Sequence, residues 1–256
     1  MTKKILTLII LFYCTTISFA QEKKAVNDTI TIKNGITVTN NGVSVIPTFS
    51  LGKPAAIFDL SIAKNRFSFD PQFRFAIENV KPWSFVFWMR YKLMDSKKFK
   101  IGIGAHPAFV FQTTPVITNG ISNDLITTKR FFAGELVPTY TISKKVSIGL
   151  YYLCSHGVAD ATRNTNFISV NGYFSNIKLL HNYNLKIVPQ IYYLKMDSND
   201  GFYSGSTITL VKNKIPLLIS STINKKINST IPSKDFLWNL SLTYSFGGKY
   251  TLQKQK

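Results

Sequence analysis

Apolar and polar residues alternate from Arg66 to Leu93, and this alternation constrains the fold more than any other feature of the chain. Because successive side chains of a β-strand point to opposite faces, a period of two residues over this length predicts strands. The apolar face is rich in aromatic rings: Phe67, Phe69, Phe73, Phe75, Ile77, Trp83, Phe85, Phe87, Met89, Tyr91 and Leu93. The opposite face is polar and carries charges of both signs, so the two faces are predicted to meet different surroundings.

The same alternation recurs along the rest of the chain. Strand-like runs lie at 42–50, 54–63, 66–78, 82–94, 98–112, 129–142, 145–155, 165–178, 184–196, 202–212, 216–226 and 235–246. Most of these runs have the length of about nine to eleven residues that a tilted membrane strand needs. We therefore predict an all-β fold, a single antiparallel up-and-down transmembrane β-barrel of about twelve strands, apolar toward lipid and polar toward the lumen. A soluble sandwich that buries the aromatic face is the alternative.

The connections between these runs alternate in length. Even-numbered connections are brief: 64–65, 95–97, 143–144, 181–183 and 213–215. The longest connections are odd-numbered: 113–128, 156–164 and 227–234. Barrels of the outer membrane have short periplasmic turns and longer outer loops. The alternation therefore predicts an even number of strands, with the N-terminus in the periplasm and the odd connections outside.

The N-terminus has the pattern of a secretory signal peptide. Lys3 and Lys4 precede a short apolar run, and Ser18-Phe19-Ala20 provides a small-x-small cleavage site. The apolar run is too short to span a bilayer as an anchor. We predict a signal peptide at 1–20, a polar lead at 21–41, the barrel at 42–246 and a basic C-terminal tail at 247–256.

The run at 236–246 alternates strictly between apolar and polar residues and ends in the aromatic pair Tyr244 and Phe246. It resembles the terminal strand of Gram-negative outer-membrane β-barrel proteins, which the barrel-assembly machinery reads. This resemblance implies an outer-membrane location, contact with membrane lipid and lipopolysaccharide, and the assembly machinery as a partner through 236–246. The family pattern normally ends at the aromatic residue, whereas ten residues follow Phe246 here.

The chain is strongly basic, with a formal net charge of +19. Nucleic acid is the usual partner of such a charge. Export makes nucleic acid an unsuitable partner, and the phosphate-rich lipopolysaccharide of the outer membrane is the nearer polyanion.

Charged residues of the polar face are predicted to gather in the lumen. Arg74, Arg90, Lys92 and Lys100 lie on this face of three successive strands, and Asp70, Glu78 and Glu135 are the carboxylates available to oppose them. Two interpretations are open. The cluster is either an ion-pair network that plugs a narrow barrel, or a cationic constriction that sets the selectivity of a pore.

Ser155, His156 and Asp160 are residue types found in hydrolases. However, Ser155 and His156 are adjacent, so they point to opposite faces if both belong to one strand. The chain also lacks a Gly-x-Ser-x-Gly motif around a nucleophile. His106, His156 and His181 do not have metal-ligand spacing. We expect no catalysis, no metal and no cofactor.

These features predict a non-catalytic barrel of the outer membrane, either a pore for small solutes or a structural barrel. The first alternative is a lipid-modifying hydrolase with a site near the outer loops. The second alternative is a soluble exported β-sandwich that binds a ligand.

Overall fold

The computed structural model describes residues 29–118, 121–180 and 182–251. The predicted signal peptide lies outside these residues. Within them, none of the helices has the length and hydropathy needed to cross a membrane. The strands are β1 (Thr29–Thr39), β2 (Ala55–Lys64), β3 (Phe67–Ala76), β4 (Pro82–Asp95), β5 (Phe99–Thr118), β6 (Ile121–Thr141), β7 (Val146–Val158), β8 (Asn164–Leu180), β9 (Tyr183–Met196), β10 (Asn199–Lys212), β11 (Leu217–Ser229), β12 (Phe236–Trp238) and β13 (Ser241–Thr251).

The strands form one closed antiparallel sheet. Strands that follow one another along the chain pair side by side from β1 to β11, and β13 pairs with β1 to close the ring. Both β12 and β13 pair with β11, so they are two halves of one interrupted strand. The result is the predicted up-and-down barrel of twelve wall strands. Because the sheet closes on itself, the β-sandwich alternative is wrong.

Side-chain hydrogen bonds fill the interruption between β12 and β13. The Thr222 amide donates to Asn239 Oδ1 at 2.7 Å, and the Leu240 amide donates to Asn40 Oδ1 at 2.7 Å. The backbone groups that leave the ladder therefore keep partners, which a strand facing lipid requires.

The aromatic face of the alternating segment lies on the outside of the barrel. Phe73 pairs with Phe85 across β3 and β4, and their rings meet edge to face at 5.3 Å. The Phe85 ring also contacts the Phe111 ring of β5, and their centroids are 4.8 Å apart. The residues between these phenylalanines, such as Gln72 and Val86, line the interior. The predicted orientation of the two faces is confirmed here.

Trp83 is the exception to this alternation. The pairing register shifts between Arg74 and Phe75, and such a bulge turns a side chain away from its expected face. The Trp83 side chain is buried, and its indole N–H donates to the Phe49 carbonyl oxygen at 2.9 Å. The assignment of Trp83 to the lipid face was therefore wrong.

The first strand lies earlier in the chain than predicted. Residues 29–39 form β1, whereas the predicted strand at 42–50 is a loop with a short 3-10 helix at Pro47–Phe49. A proline cannot donate a ladder hydrogen bond, and Pro47 is buried inside the barrel. The number of wall strands stays at twelve, because β1 takes the place of the strand predicted at 42–50. The barrel therefore begins inside the segment predicted to be a polar lead.

The barrel also ends later than predicted. β13 continues past Phe246 to Thr251, and Gly247 pairs with Lys33 of β1. A side chain at Gly247 would collide with the Ile32 carbonyl oxygen. Glycine lets the two backbones approach at this point, so the first part of the predicted tail belongs to the closing strand.

The even connections remain short with the new first strand, but the odd connections are not all long, because β5–β6 and β9–β10 are joined by two residues each. The even connections span two to four residues, and the odd ones include the long loop at 40–54. We call the end of the barrel with the odd connections the loop end, and the other the turn end. The predicted loop at 113–128 is instead the tip of the β5–β6 hairpin, whose strands are 20 and 21 residues long. This hairpin extends beyond its neighbours.

Candidate functional site

Two large cavities lie within the described part of the barrel. The inner cavity has a volume of about 690 Å³ and lies in the middle of the barrel. The outer cavity, of about 910 Å³, lies at the loop end, where residues of the odd connections line it. Phe49 of the β1–β2 loop borders both cavities. The loop at 40–54 therefore separates them.

The inward residues of β2–β6 form a polar surface beside the inner cavity, which we call the cavity wall. Its centre is an ion-pair network around Arg90. The Arg90 guanidinium donates to Glu135 at 2.6 Å and to Asp70 at 3.1 Å. It also stacks over the Trp88 ring, 4.2 Å from its centroid. Arg90 is thus neutralised by two carboxylates, Asp70 from the adjacent strand β3 and Glu135 from β6, one strand further away.

Gly104 makes the contact between Arg90 and Glu135 possible. It lies between them in the sheet, paired with Arg90 on one side and with Glu135 on the other. A Cβ atom at Gly104 would come within 2.7 Å of Glu135 Oε1 and 3.1 Å of Arg90 Cγ. The missing side chain leaves room for an ion pair that crosses a whole strand.

Arg74 lies closer to the loop end and has a different environment. Its Nε donates to Gln72 Oε1 at 2.5 Å, and the Gln72 amide donates in turn to Asp59. The guanidinium lies over the Trp83 ring, 5.0 Å from the centroid. No carboxylate of the described residues lies within ion-pairing distance of Arg74.

The structure does not bring the other predicted members into this cluster. Lys92 and Lys100 lie at the turn end, 3.8 and 3.6 Å from Asp95. Glu78 lies at the loop end, 3.0 Å from Lys53. The hydrogen bond from Lys53 holds the pKa of Glu78 below its ordinary value. Residues that share a face of a strand still differ in depth by roughly 7 Å for every two positions, and the sequence pattern does not encode depth.

The opposite side of the interior is packed and apolar. The inward residues of β8–β10 form a surface that we call the packed wall: Phe167, Tyr192, Leu194, Met196 and Tyr203. Ile46 of the β1–β2 loop and Ile231 of the loop after β11 pack against it. The Tyr192 and Tyr203 rings stack with centroids 4.9 Å apart, and Asn224 donates to the Tyr192 hydroxyl at 2.6 Å.

Sequence reasoning missed the packed wall. The signal was present in β9, where Ile191, Tyr192 and Tyr193 are consecutive apolar or aromatic residues instead of an alternating set. A run that is apolar on both faces indicates a strand with lipid on one side and protein on the other.

The predicted hydrolase residues do not converge. Ser155 and His156 are successive residues of β7, so they point to opposite faces of the wall. Ser155 lines the inner cavity, whereas His156 is exposed and lies 3.2 Å from Asn164 Oδ1. Asp160 belongs to the loop after β7. This geometry does not form a nucleophile with an adjacent base.

Several buried polar atoms have no hydrogen-bond partner. They include Ser84 Oγ, His106 Nδ1 and Glu135 Oε2. Ser84 and His106 are residues of the inner cavity lining, although these two atoms are themselves shielded from solvent. In the described part of the chain, no group of three or more histidine, cysteine or acidic residues is arranged to hold a metal ion.

Comparisons with known proteins identify the fold. No family model matches the chain, and no curated protein matches it. The solved structure of the KdgM porin is similar with a TM-score of 0.50 at 12% identity, over 84% of this chain and 99% of that one. The NanC porin gives 0.48 at 8% identity, over 86% and 100%, and the COG4313 outer membrane channel from Pseudomonas putida F1 gives 0.45 at 9% identity, over 89% and 100%. The chain has the fold of outer-membrane β-barrel proteins.

Proposed function

We propose that the protein is an outer-membrane channel that passes small solutes through its lumen. The observation that carries this proposal is the inner cavity of about 690 Å³, which is bordered by the polar, charged cavity wall. A barrel that served only as a structural element could fill this space with side chains, as the packed wall does on the other side.

The outer cavity supports the same proposal. It gives solute a space of about 910 Å³ at the loop end. The β1–β2 loop lies between the two cavities and is held by the Trp83 hydrogen bond to Phe49. We propose that this loop is the constriction of the channel, so that its position determines the conductance.

The proposal includes a location and a route of assembly. The protein is exported through the signal peptide at 1–20 and lies in the outer membrane among lipid and lipopolysaccharide. The assembly machinery reads its last strand. Catalysis is not proposed, because Ser155 and His156 point to opposite faces.

Conductance in planar lipid bilayers tests this proposal. The wild-type barrel should give small unitary steps, because the loop at 40–54 narrows the lumen. Trp83→Phe keeps a ring but removes the hydrogen bond to Phe49, so steps should become larger or noisier. Trp238→Phe is the matched control, since the Trp238 side chain is half exposed. Its contact with the loop is a hydrogen bond from Asn41 to the Trp238 backbone carbonyl oxygen, which the substitution keeps. A barrel that conducts neither as wild type nor with the loop replaced by a glycine-serine linker would refute the channel.

A further inference from the structure

We propose that the inner cavity contains a binding site for a monocarboxylate with an apolar body, centred on Arg74 and Ser84. The proposal rests on the channel function above and names the class of solute. It follows from the contrast between two arginines on one wall, from a buried hydroxyl without a partner, and from the apolar residues that line the same cavity.

Arg74 is the charge that the cavity leaves available. Arg90 uses its guanidinium on two carboxylates, at 2.6 and 3.1 Å. Arg74 makes one hydrogen bond to a neutral amide, and among the described residues no carboxylate pairs with it. A guanidinium carries five N–H donors in a planar fork that matches the two oxygens of a carboxylate. The unused donors of Arg74 therefore suit a carboxylate ligand.

Ser84 supplies a second donor at the same place. It pairs with Arg74 across β3 and β4, so both side chains leave the same part of the wall. Ser84 is only 4% exposed, and its Oγ has no hydrogen-bond partner. A buried hydroxyl without a partner is costly, and rotation of the Ser84 side chain toward the inner cavity would let a ligand oxygen satisfy it.

The remainder of the cavity defines the rest of the ligand. Phe131 and Ala133 of β6, Leu153 of β7 and Phe167 of β8 also line the inner cavity, and they suit an apolar or aromatic body. Asp59 and Asp70 line the same cavity, and Asp59 is linked to Arg74 through Gln72, so each added negative charge on a ligand is repelled more strongly. These surroundings favour a ligand with one negative charge over a dicarboxylate or a phosphate dianion.

Binding of phenylacetate to the purified, refolded barrel tests the site by isothermal titration calorimetry. Phenylacetamide is a neutral ligand of the same shape. Because hydrogen bonds to charged groups are the stronger ones, phenylacetate should bind about 10- to 100-fold more tightly than phenylacetamide. Arg74→Gln should remove this difference.

Arg66→Gln is the matched control, because Arg66 is exposed at the turn end. It should leave the preference for phenylacetate unchanged. Ser84→Ala provides a second test if Arg74→Gln does not fold, and it should weaken phenylacetate binding about 3- to 10-fold.

Three outcomes overturn the proposal. Equal binding of phenylacetate and phenylacetamide would indicate an apolar cavity without an anion site. If Arg74→Gln still prefers phenylacetate over phenylacetamide, the carboxylate binds at another residue. If equimolar inorganic phosphate displaces phenylacetate, the site binds anions in general. A barrel that conducts ions but does not bind phenylacetate refutes only this site. A barrel that binds phenylacetate but never conducts refutes only the channel.

Discussion

The cavity wall and the packed wall belong to the same ring of strands, yet their inner surfaces differ in charge and in packing. The cavity wall presents Asp70, Arg74 and Arg90 to an open space. The packed wall presents Phe167, Tyr192 and Tyr203, which are buried almost completely against one another and against two loops. One half of the lumen has the character of a solvated site, and the other has the character of a protein core.

This difference gives the narrow barrel one tightly packed side and one side with open space. A dry core on one side gives the loops at 40–54 and 230–235 an apolar surface on which to pack, through Ile46 and Ile231. Polar and charged side chains on the other side border the remaining space. The packed wall therefore holds the two loops in place, and in the proposed channel the cavity wall would contact the solute.

The largest effect is expected from a cavity-forming change in the packed wall. Leu194→Ala should lower the free energy of unfolding by about 2–5 kcal/mol, because Leu194 is fully buried and borders neither cavity. Val86→Ala in the cavity wall should cost only about 0.5–1.5 kcal/mol, since Val86 borders open space. Urea unfolding in lipid vesicles measures both. Equal losses would mean that the two walls are packed alike.

The difference between the two walls is expected only on their inner surfaces, because the outer surfaces of both should face lipid. Phe87 lies outside the cavity wall, and Ile191 lies outside the packed wall, where it is 61% exposed. An arginine at either position should cost about 2–4 kcal/mol of barrel stability, because both would face lipid. The same unfolding measurement applies. Tolerance of Ile191→Arg alone would indicate that protein covers the outside of β9.

A smaller effect is expected from the ion-pair network of the cavity wall. Glu135→Gln removes the shorter of the two ion pairs of Arg90 and should cost about 1–3 kcal/mol, because the Glu135 side chain is 3% exposed. Asp95→Asn at the turn end should cost about 0–1 kcal/mol, since its lysine partners are solvated. A neutral result for Glu135→Gln would show that water replaces the ion pair fully.

The smallest effect concerns the loop that packs on the packed wall. Lys226 donates to Asp235 at 3.0 Å and holds the pKa of Asp235 below its ordinary value. Because the folded pKa is the lower one, this stabilisation is present above the unfolded pKa of about 4 and is lost as the pH falls through the folded value. Asp235→Asn should make the unfolding midpoint slightly less sensitive to pH in this acid range. An unchanged pH profile would mean that the pair contributes nothing.

The sequence predicted the wall of this barrel better than its contents. Alternation at Phe73, Phe75, Phe85 and Phe87 specified the outer face because lipid requires apolar side chains at every second position. The first strand was misplaced because 42–50 is as apolar as a strand. The segment 42–50 is instead a loop, and its position depends on the packing of Ile46 against residues far away in the chain.

The contents of the lumen depend on depth and on neighbouring strands, which a single strand does not reveal. Arg90 and Lys92 are two positions apart on β4 and were predicted to share its polar face. Arg90 nevertheless lies in the ion-pair network, whereas Lys92 pairs with Asp95 at the turn end. Gly104 looks like any strand glycine in the sequence. Its importance follows only from its place between Arg90 and Glu135 in the sheet.

The pairing of β1 with β13 has a consequence for folding kinetics. All other paired strands are close in sequence. The β1–β13 pair instead joins Thr29 to Thr251, at the two ends of the described chain. Contacts between distant residues form late, because the entropy of closing so long a loop must be overcome first. Until then the sheet has two unpaired edges that can pair with other chains. Deletion of Thr29–Thr39 should therefore stall the chain as an aggregation-prone open sheet instead of giving a smaller barrel.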